Sequence, residues 1–406
     1  MFSGIWPAWQ AANLDPLKVL RGQHEVKLSS KTMQKFTSRL PTTIGLTIRS
    51  STRKPIRLVF TFFAVGLSML ILGSMLFMMD SMEDLFLGNA GENSNWDQQA
   101  IVFPGMEDAI TEWADENALD YELLLTMPAS PDGDSRQLVA MGLDVFSTSG
   151  NEAMQTLNLV EGSLPSEGTD PPEALVDEGI QHFLGWGVGE VQSIRFGSQA
   201  VDFKIVGITE GEIARTVYFH RADLAAEVDL EATSVLLSYP DGFGQTTDLG
   251  DMSIGIIDKQ ETIDAMESLM ETQQAFFIAI QFLGIVIAIV VLFNTLIINL
   301  AERDLELATL RVLGAPIKRI GSMMLGEHFA IGLIGGVLGA IFSILGTQWM
   351  ISQLVQWSFY FKVNADPLIS SYLVAIVLFI SVALTPLGMW RVYRMDLVEK
   401  VKDFSN

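Results

Sequence analysis

Four stretches of this chain, at about 58–79, 276–300, 323–350 and 368–392, are apolar and almost free of charge. A hydrocarbon core of about 30 Å takes roughly 20 helical residues to cross, and each stretch reaches that length. Four such runs in one chain are read as membrane spans rather than as buried helices of a soluble fold. Between the first and second runs lies a polar segment, 80–275, long enough for one or two compact units. The expected fold is therefore a polytopic α-helical membrane protein with four transmembrane helices. A large mixed α+β extracytoplasmic domain is expected between the first and second helices. The first run is not a cleaved signal peptide, because the basic segment before it is too long for one.

Charge sets the expected orientation. Residues 1–57 hold ten Lys/Arg against two Asp/Glu, and the loop at 301–322 holds four (Arg303, Arg311, Lys318, Arg319) against three acids. Four more basic residues, Arg391, Arg394, Lys400 and Lys402, follow the fourth run. Basic segments stay in the cytoplasm, so both termini and the 301–322 loop are expected inside. The 80–275 segment carries six Lys/Arg and thirty-eight Asp/Glu, more than the whole net charge of −23. So acidic a surface argues against nucleic acid as a partner. The chain has no Cys and hence no disulfide framework.

Within the outer segment the pattern alternates. A helix is expected at 107–118, and strands at 121–126 and 137–142 flank the turn signal Asp132-Gly133. A strand at 173–176 and a helix at 177–184 follow. Strands at 192–196 and 201–208 are separated by Gly197-Ser198. Further strands are expected at 217–219, 234–237 and 253–257. Residues 258–275 form a polar helical pattern with Ile263, Met266, Leu269 and Met270 on one stripe. No Gly or Pro separates it from the second span, so it reads as a stalk helix continuing out of the membrane. At the other end, 40–57 reads as an amphipathic helix feeding the first span, within a cytoplasmic N-terminal segment 1–57.

Catalytic constellations are poor. His24, His182, His220 and His328 lack partners at metal-ligand spacing, and neither a P-loop nor a G-x-S-x-G elbow occurs. Gly185-Trp186-Gly187-Val188-Gly189 follows a helix rather than a strand and reads as a turn. No catalytic residue, metal site or cofactor is expected in this chain.

The run 302–346 carries a resemblance to a known family. It reads Glu302-Arg303, Glu306-Leu307, Leu310-Arg311-Val312-Leu313-Gly314-Ala315, Lys318-Arg319 and Glu327, then a Gly-rich span. This resembles the FtsX-like permease domain of MacB/FtsX-type ABC transporters. Val160-Glu161-Gly162-Ser163-Leu164-Pro165 and Phe203-Lys204-Ile205-Val206-Gly207 are similar to that family's periplasmic core domain. The tail from Trp390 to Lys402 is similar to the family's closing motif and echoes Trp9 to Arg21. That echo suggests the C-terminal half of a duplicated permease.

The resemblance implies domains at 80–257 (periplasmic core), 258–275 (stalk), 276–392 (permease domain with three transmembrane helices) and 393–406 (cytoplasmic tail). It also implies a bacterial inner-membrane permease subunit that exports or extracts a lipoprotein, lipid, peptide or drug. A separate ABC-type ATPase, with its own ATP and magnesium, would drive it by mechanotransmission. A second permease copy or an N-terminal half, and a periplasmic or outer-membrane partner, complete the expected assembly. Glu302, Arg303, Glu306, Leu310, Arg311, Gly314 and Ala315 are the expected ATPase-coupling segment, on a short helix with Leu307, Leu310 and Leu313 as anchors. Gly332, Gly335, Gly336, Gly339, Ser343 and Gly346 are expected to form one packing stripe. Glu327 is the candidate intramembrane polar residue. The alternative reading is a membrane-anchored activator of periplasmic cell-wall enzymes, in the manner of FtsX.

Overall fold

The computed structural model describes residues 55–86, 91, 93–148, 153–211, 214–240, 244–245, 249–358 and 360–394. The expected amphipathic segment 40–57, apart from its last three residues, and the Trp9 and 395–402 motifs lie outside them. Among the described residues, four helices are long and apolar enough to cross a membrane. They are α1 (Pro55–Glu83), α5 (Lys259–Val312), α6 (Ile317–Leu354) and α7 (Pro367–Tyr393). Helix α1 opens on Pro55, whose fixed φ and missing N–H suit a first helical position. The chain divides into two compact units. One comprises Met1–Val65, Val290–Gly335 and Ile376–Asn406; the other comprises Gly66–Ile289 and Gly336–Ala375.

The second unit contains a ten-stranded sheet between α1 and α5 in the chain. Its strands are β1 (Gln98–Val102), β2 (Asp120–Pro131), β3 (Leu138–Leu143), β4 (Leu159–Gly162) and β5 (Glu173–Asp177), then β6 (Val191–Phe196), β7 (Gln199–Thr209), β8 (Thr216–His220), β9 (Ser234–Ser238) and β10 (Ser253–Asp258). Strand order is β10-β1-β9-β2-β3-β8-β5-β7-β4, and β6 pairs with both β7 and β2. The second β6 pairing, Ser130 with Arg195 and Pro131 with Ile194, closes β2, β3, β8, β5, β7 and β6 into a circuit. Two of its pairings, β3 with β8 and β5 with β7, are parallel; the others are antiparallel.

The circuit encloses a core of Leu125, Val176, Ile194, Phe203, Ile205 and Phe219, among others. Phe203 and Phe219 meet edge-on at 5.3 Å, the arrangement that the ring quadrupole favours. Helices α3 (Glu178–Leu184) and α4 (Arg221–Val228) add Ile180 and Leu224 to the same core. Strands β5 and β8 are buried along nearly their whole length because their other faces are also covered. Leu175 and Tyr218 pack there with Met154 and Leu157 from the connector before β4. A parallel strand buried on both faces reads as a continuous apolar run, as Ala174-Leu175-Val176 does. Helix α2 (Glu107–Glu116) covers β1 and β9 through Ile110 and Ala114.

Each expected strand lies within an observed one, except that Gln137 precedes β3, which starts at Leu138. β1, β4 and helix α4 are elements the sequence reading lacked. The expected short coupling helix is corrected: residues 302–312 are the last turns of the 54-residue helix α5, which starts at Lys259. Nothing between Lys259 and Val312 is a helix breaker strong enough to divide it; the one Gly, Gly284, sits against Leu72 of α1, where a Cβ would come within 3.0 Å.

Candidate functional site

The end of α5 is shaped by a Schellman closure. Gly314 has φ +85°. Its N–H donates to the Arg311 carbonyl at 3.0 Å, and the Ala315 N–H donates to the Leu310 carbonyl at 2.9 Å. Both bonds satisfy carbonyls the helix would leave open, and glycine takes the left-handed position without a Cβ penalty. After Pro316 the chain restarts as α6.

Where the coupling residues point differs from the sequence reading. Leu307 is buried and Leu310 partly so, packed with Leu296, Leu300, Ile320 and Val392. These two hold the helix ends together within their own unit and are not free anchors. Leu313 instead is 78 % exposed, and Val312 beside it 60 % exposed. Arg311 is also engaged: its guanidinium donates to the Val392 carbonyl at 2.8 Å, near the end of α7. A cation at open helix carbonyls is favoured by both hydrogen bonding and the helix dipole. Glu302, Arg303 and Glu306 lie on the helical backbone of α5, with side chains outside the described ones. Lys318 and Arg319 are exposed, and Ala315 is half-buried.

The glycines of α6 occupy two faces. Gly332 and Gly336 face α7: a Cβ at either would come within 3.0 Å of a backbone Cα, Leu378 or Val374. Gly335, Gly339 and Gly346 face α1, against Val65, Met69 and Ser74. At 100° per residue these faces are only about 60° apart, so in sequence they read as one stripe. On the α1 side, hydroxyls reinforce the close approach. Ser74 donates to the Ser343 carbonyl at 3.1 Å; the Ser343 and Thr347 hydroxyls share their single protons between carbonyls of their own helix, Gly339 at 2.7 Å and Ser343 at 2.8 Å, and the α1 carbonyls of Met69 at 3.1 Å and Ser74 at 3.3 Å. Small residues and interhelical hydrogen bonds give contacts that lipid cannot. Glu327 is half-buried, one residue before the buried His328, whose Nδ1 lies 2.9 Å from the Met324 carbonyl.

A feature absent from the sequence reading lies in the loop 355–366, between α6 and α7. Trp357 donates its indole N–H to the Gln137 carbonyl at 2.6 Å and lies under the Arg136 guanidinium at 4.5 Å. Tyr360 packs on His182, with ring centres 5.2 Å apart, and lies beneath Arg215 at 5.6 Å. Lys362 pairs with the buried Glu178. Burial opposes the charge on Lys362, but hydrogen bonding and attraction to Glu178 outweigh it and raise the pKa. Asn364 donates to Ser81 and Asp84 at 2.9 and 3.0 Å. The loop is thus a strap from the helices across the sheet domain. Its hydrogen-bonding partners are 184 to 283 residues away in sequence, which is why no local pattern announced it.

The FtsX-like permease C-terminal family matches residues 278–397, a span that takes in α6, α7 and the apolar part of α5. No curated protein sequence matches the chain. Solved structures are similar to it in part, two of them as follows. The extracellular domain of the noncanonic ABC-type transporter YknZ from Gram-positive bacteria is similar over 36 % of this chain and 85 % of that one, at 13 % identity and a TM-score of 0.27. A domain assigned to a permease protein of Porphyromonas gingivalis is similar over 45 % of this chain and 84 % of that one, at 13 % identity and a TM-score of 0.25.

Proposed function

We propose that this chain is the membrane subunit of an ABC-type transporter in the bacterial inner membrane, a reading supported by the match of residues 278–397 to the FtsX-like permease C-terminal family. A separate ATPase binds its ATP and magnesium and pushes on the turn after α5. The motion passes along α5 to the acidic sheet domain, which acts outside on a lipoprotein, lipid, peptide or drug. Both termini and the 301–322 loop face the cytoplasm, because the basic residues cluster there. The chain itself contributes no catalytic group, and a second permease copy or half completes the membrane unit.

The observation that carries this reading is the protruding tip Val312-Leu313. Two large apolar side chains stand exposed at the end of α5, beside Leu307 and Leu310, which pack within their own unit. Apolar residues presented on a braced turn suit a groove on a partner. The flanking Lys318 and Arg319 add charge at the rim, where it steers association.

The test is copurification from native membranes with a tag on this chain. The expected result is enrichment of an ABC-type ATPase, lost at least tenfold in the Val312→Asp/Leu313→Asp variant at equal membrane abundance. Equal capture by that variant, or no such ATPase with either protein, would sink the proposal.

A further inference from the structure

The sheet domain holds a cavity of about 390 Å³ between the sheet and the first turns of α5. That size lies in the ~300–1,000 Å³ range of small-ligand sites. Its floor is apolar, made by Leu124, Met141, Leu157, Tyr218 and Leu236, and Met266 of α5 faces it. Four carboxamides line it: Asn93, Gln99, Gln155 and Asn158. Formal charge is balanced, with Lys259 and Glu210 the lining ions, although the domain around it is strongly acidic.

One residue of the lining carries a polar atom without a match. The Thr209 hydroxyl is buried, on a residue 1 % exposed, and has no hydrogen-bond partner among the described residues. An unmatched buried hydroxyl costs ~1–3 kcal/mol, so native structures rarely keep one without a use. The neighbouring amides also hold capacity in reserve. The Gln155 carbonyl oxygen accepts from Trp96 at 3.3 Å and Ser94 at 3.4 Å, which leaves its two N–H donors. Gln99 spends its N–H on Ser234 at 3.0 Å and keeps its carbonyl oxygen as acceptor.

We propose that this cavity binds an extended peptide segment that places one bulky apolar side chain on the floor and its flanking peptide groups against Thr209, Gln155 and Gln99. A peptide group carries one donor and one acceptor, which the carboxamides complement. A phospholipid headgroup would require a cluster of cations, whereas Lys259 is balanced by Glu210 and already donates to the Ser94 carbonyl. The site names a ligand class for the domain and rests on the proposed function only for the side of the membrane on which the ligand is met. Binding to the purified chain needs no ATPase, so either proposal can fail alone.

The experiment uses the full chain in lipid nanodiscs. The probe is an N-acetylated, C-amidated pentapeptide, Gly-Ala-X-Ala-Gly, with benzoylphenylalanine at X. Photo-crosslinks mapped by mass spectrometry are expected at Met141 or Met266. The same peptide with Leu at X competes, and with Ser at X it does not. Thr209→Val keeps thermal stability at or above that of the parent, because it removes an unmatched hydroxyl, yet lowers peptide affinity about threefold to tenfold. Met141→Trp fills the floor and abolishes the crosslink. The proposal is overturned if crosslinks fall outside the cavity, or if Thr209→Val leaves affinity unchanged. It is equally overturned if lysophosphatidylglycerol or chitotriose displaces the probe while the Leu peptide does not.

Discussion

Among the described residues Arg215 is the largest fully buried side chain, and its guanidinium lies 3.4 Å from the Asp177 carboxylate, itself buried. Asp177 also caps α3, accepting the Ile180 N–H at 2.7 Å, and takes the Thr216 N–H at 2.9 Å. Burial nevertheless dominates and pushes its pKa up to about 6, against the lowering by Arg215 and the backbone donors. An acid with a raised folded-state pKa binds its proton more tightly folded than unfolded. Its contribution to stability is complete below the ordinary value of 3.8 and is lost as pH rises through about 6. The melting temperature of the sheet domain within the full chain is therefore expected to rise between pH 7 and pH 5. Asp177→Asn retains a capping side chain and flattens that slope. A parent profile that falls over this window, or a variant that keeps the rise, contradicts the assignment. The same burial explains Gly179, where a Cβ would stand 1.3 Å from an Arg215 nitrogen.

Between elements, the tightest membrane contact is α1 against α6. A Cβ at Gly73 would lie 2.1 Å from the Ser343 hydroxyl, and one at Gly339 lies 2.8 Å from the Met69 Cβ. Gly339→Leu is expected to cost ~2 kcal/mol in detergent-micelle unfolding, since overpacking forces the helices apart. Gly326→Leu, on the same helix with open space around it, is the control and changes little. Equal effects would mean the penalty is generic to α6. The long elements of this fold were legible because apolar runs are local signals. β1 was not, since Gln98 and Gln99 replace the usual β-branched residues. β4 has only four residues, mostly exposed. The coupling leucines show the deeper limit. A helical pattern says that Leu307, Leu310 and Leu313 are apolar, but tertiary packing alone decides that the first two face their own chain and the third faces out.

At the scale of the whole molecule, the charge is segregated: residues 80–275 carry thirty-eight acids against six bases, and the remainder is net positive. The absence of cysteine makes the proposed orientation easy to check with single-cysteine variants. Both Asp202 and Lys318 are exposed. A membrane-impermeant maleimide is expected to label Asp202→Cys in intact cells and Lys318→Cys only after permeabilisation. The reverse pattern would overturn the orientation.

The strap at 355–366 has a kinematic consequence. The sheet domain is continuous with α1 and α5 at the two ends of its own segment, and two attachments alone leave a hinge. A body on a hinge can swing about the line through its two fixing points. The strap adds a third fixing, at Gln137, Glu178 and Arg215, several strands along from β10, where α5 begins. Three points off one line define a plane, and the swing is gone. The domain then has no rotation of its own to lose: whatever tilts its three supports tilts it by the same angle.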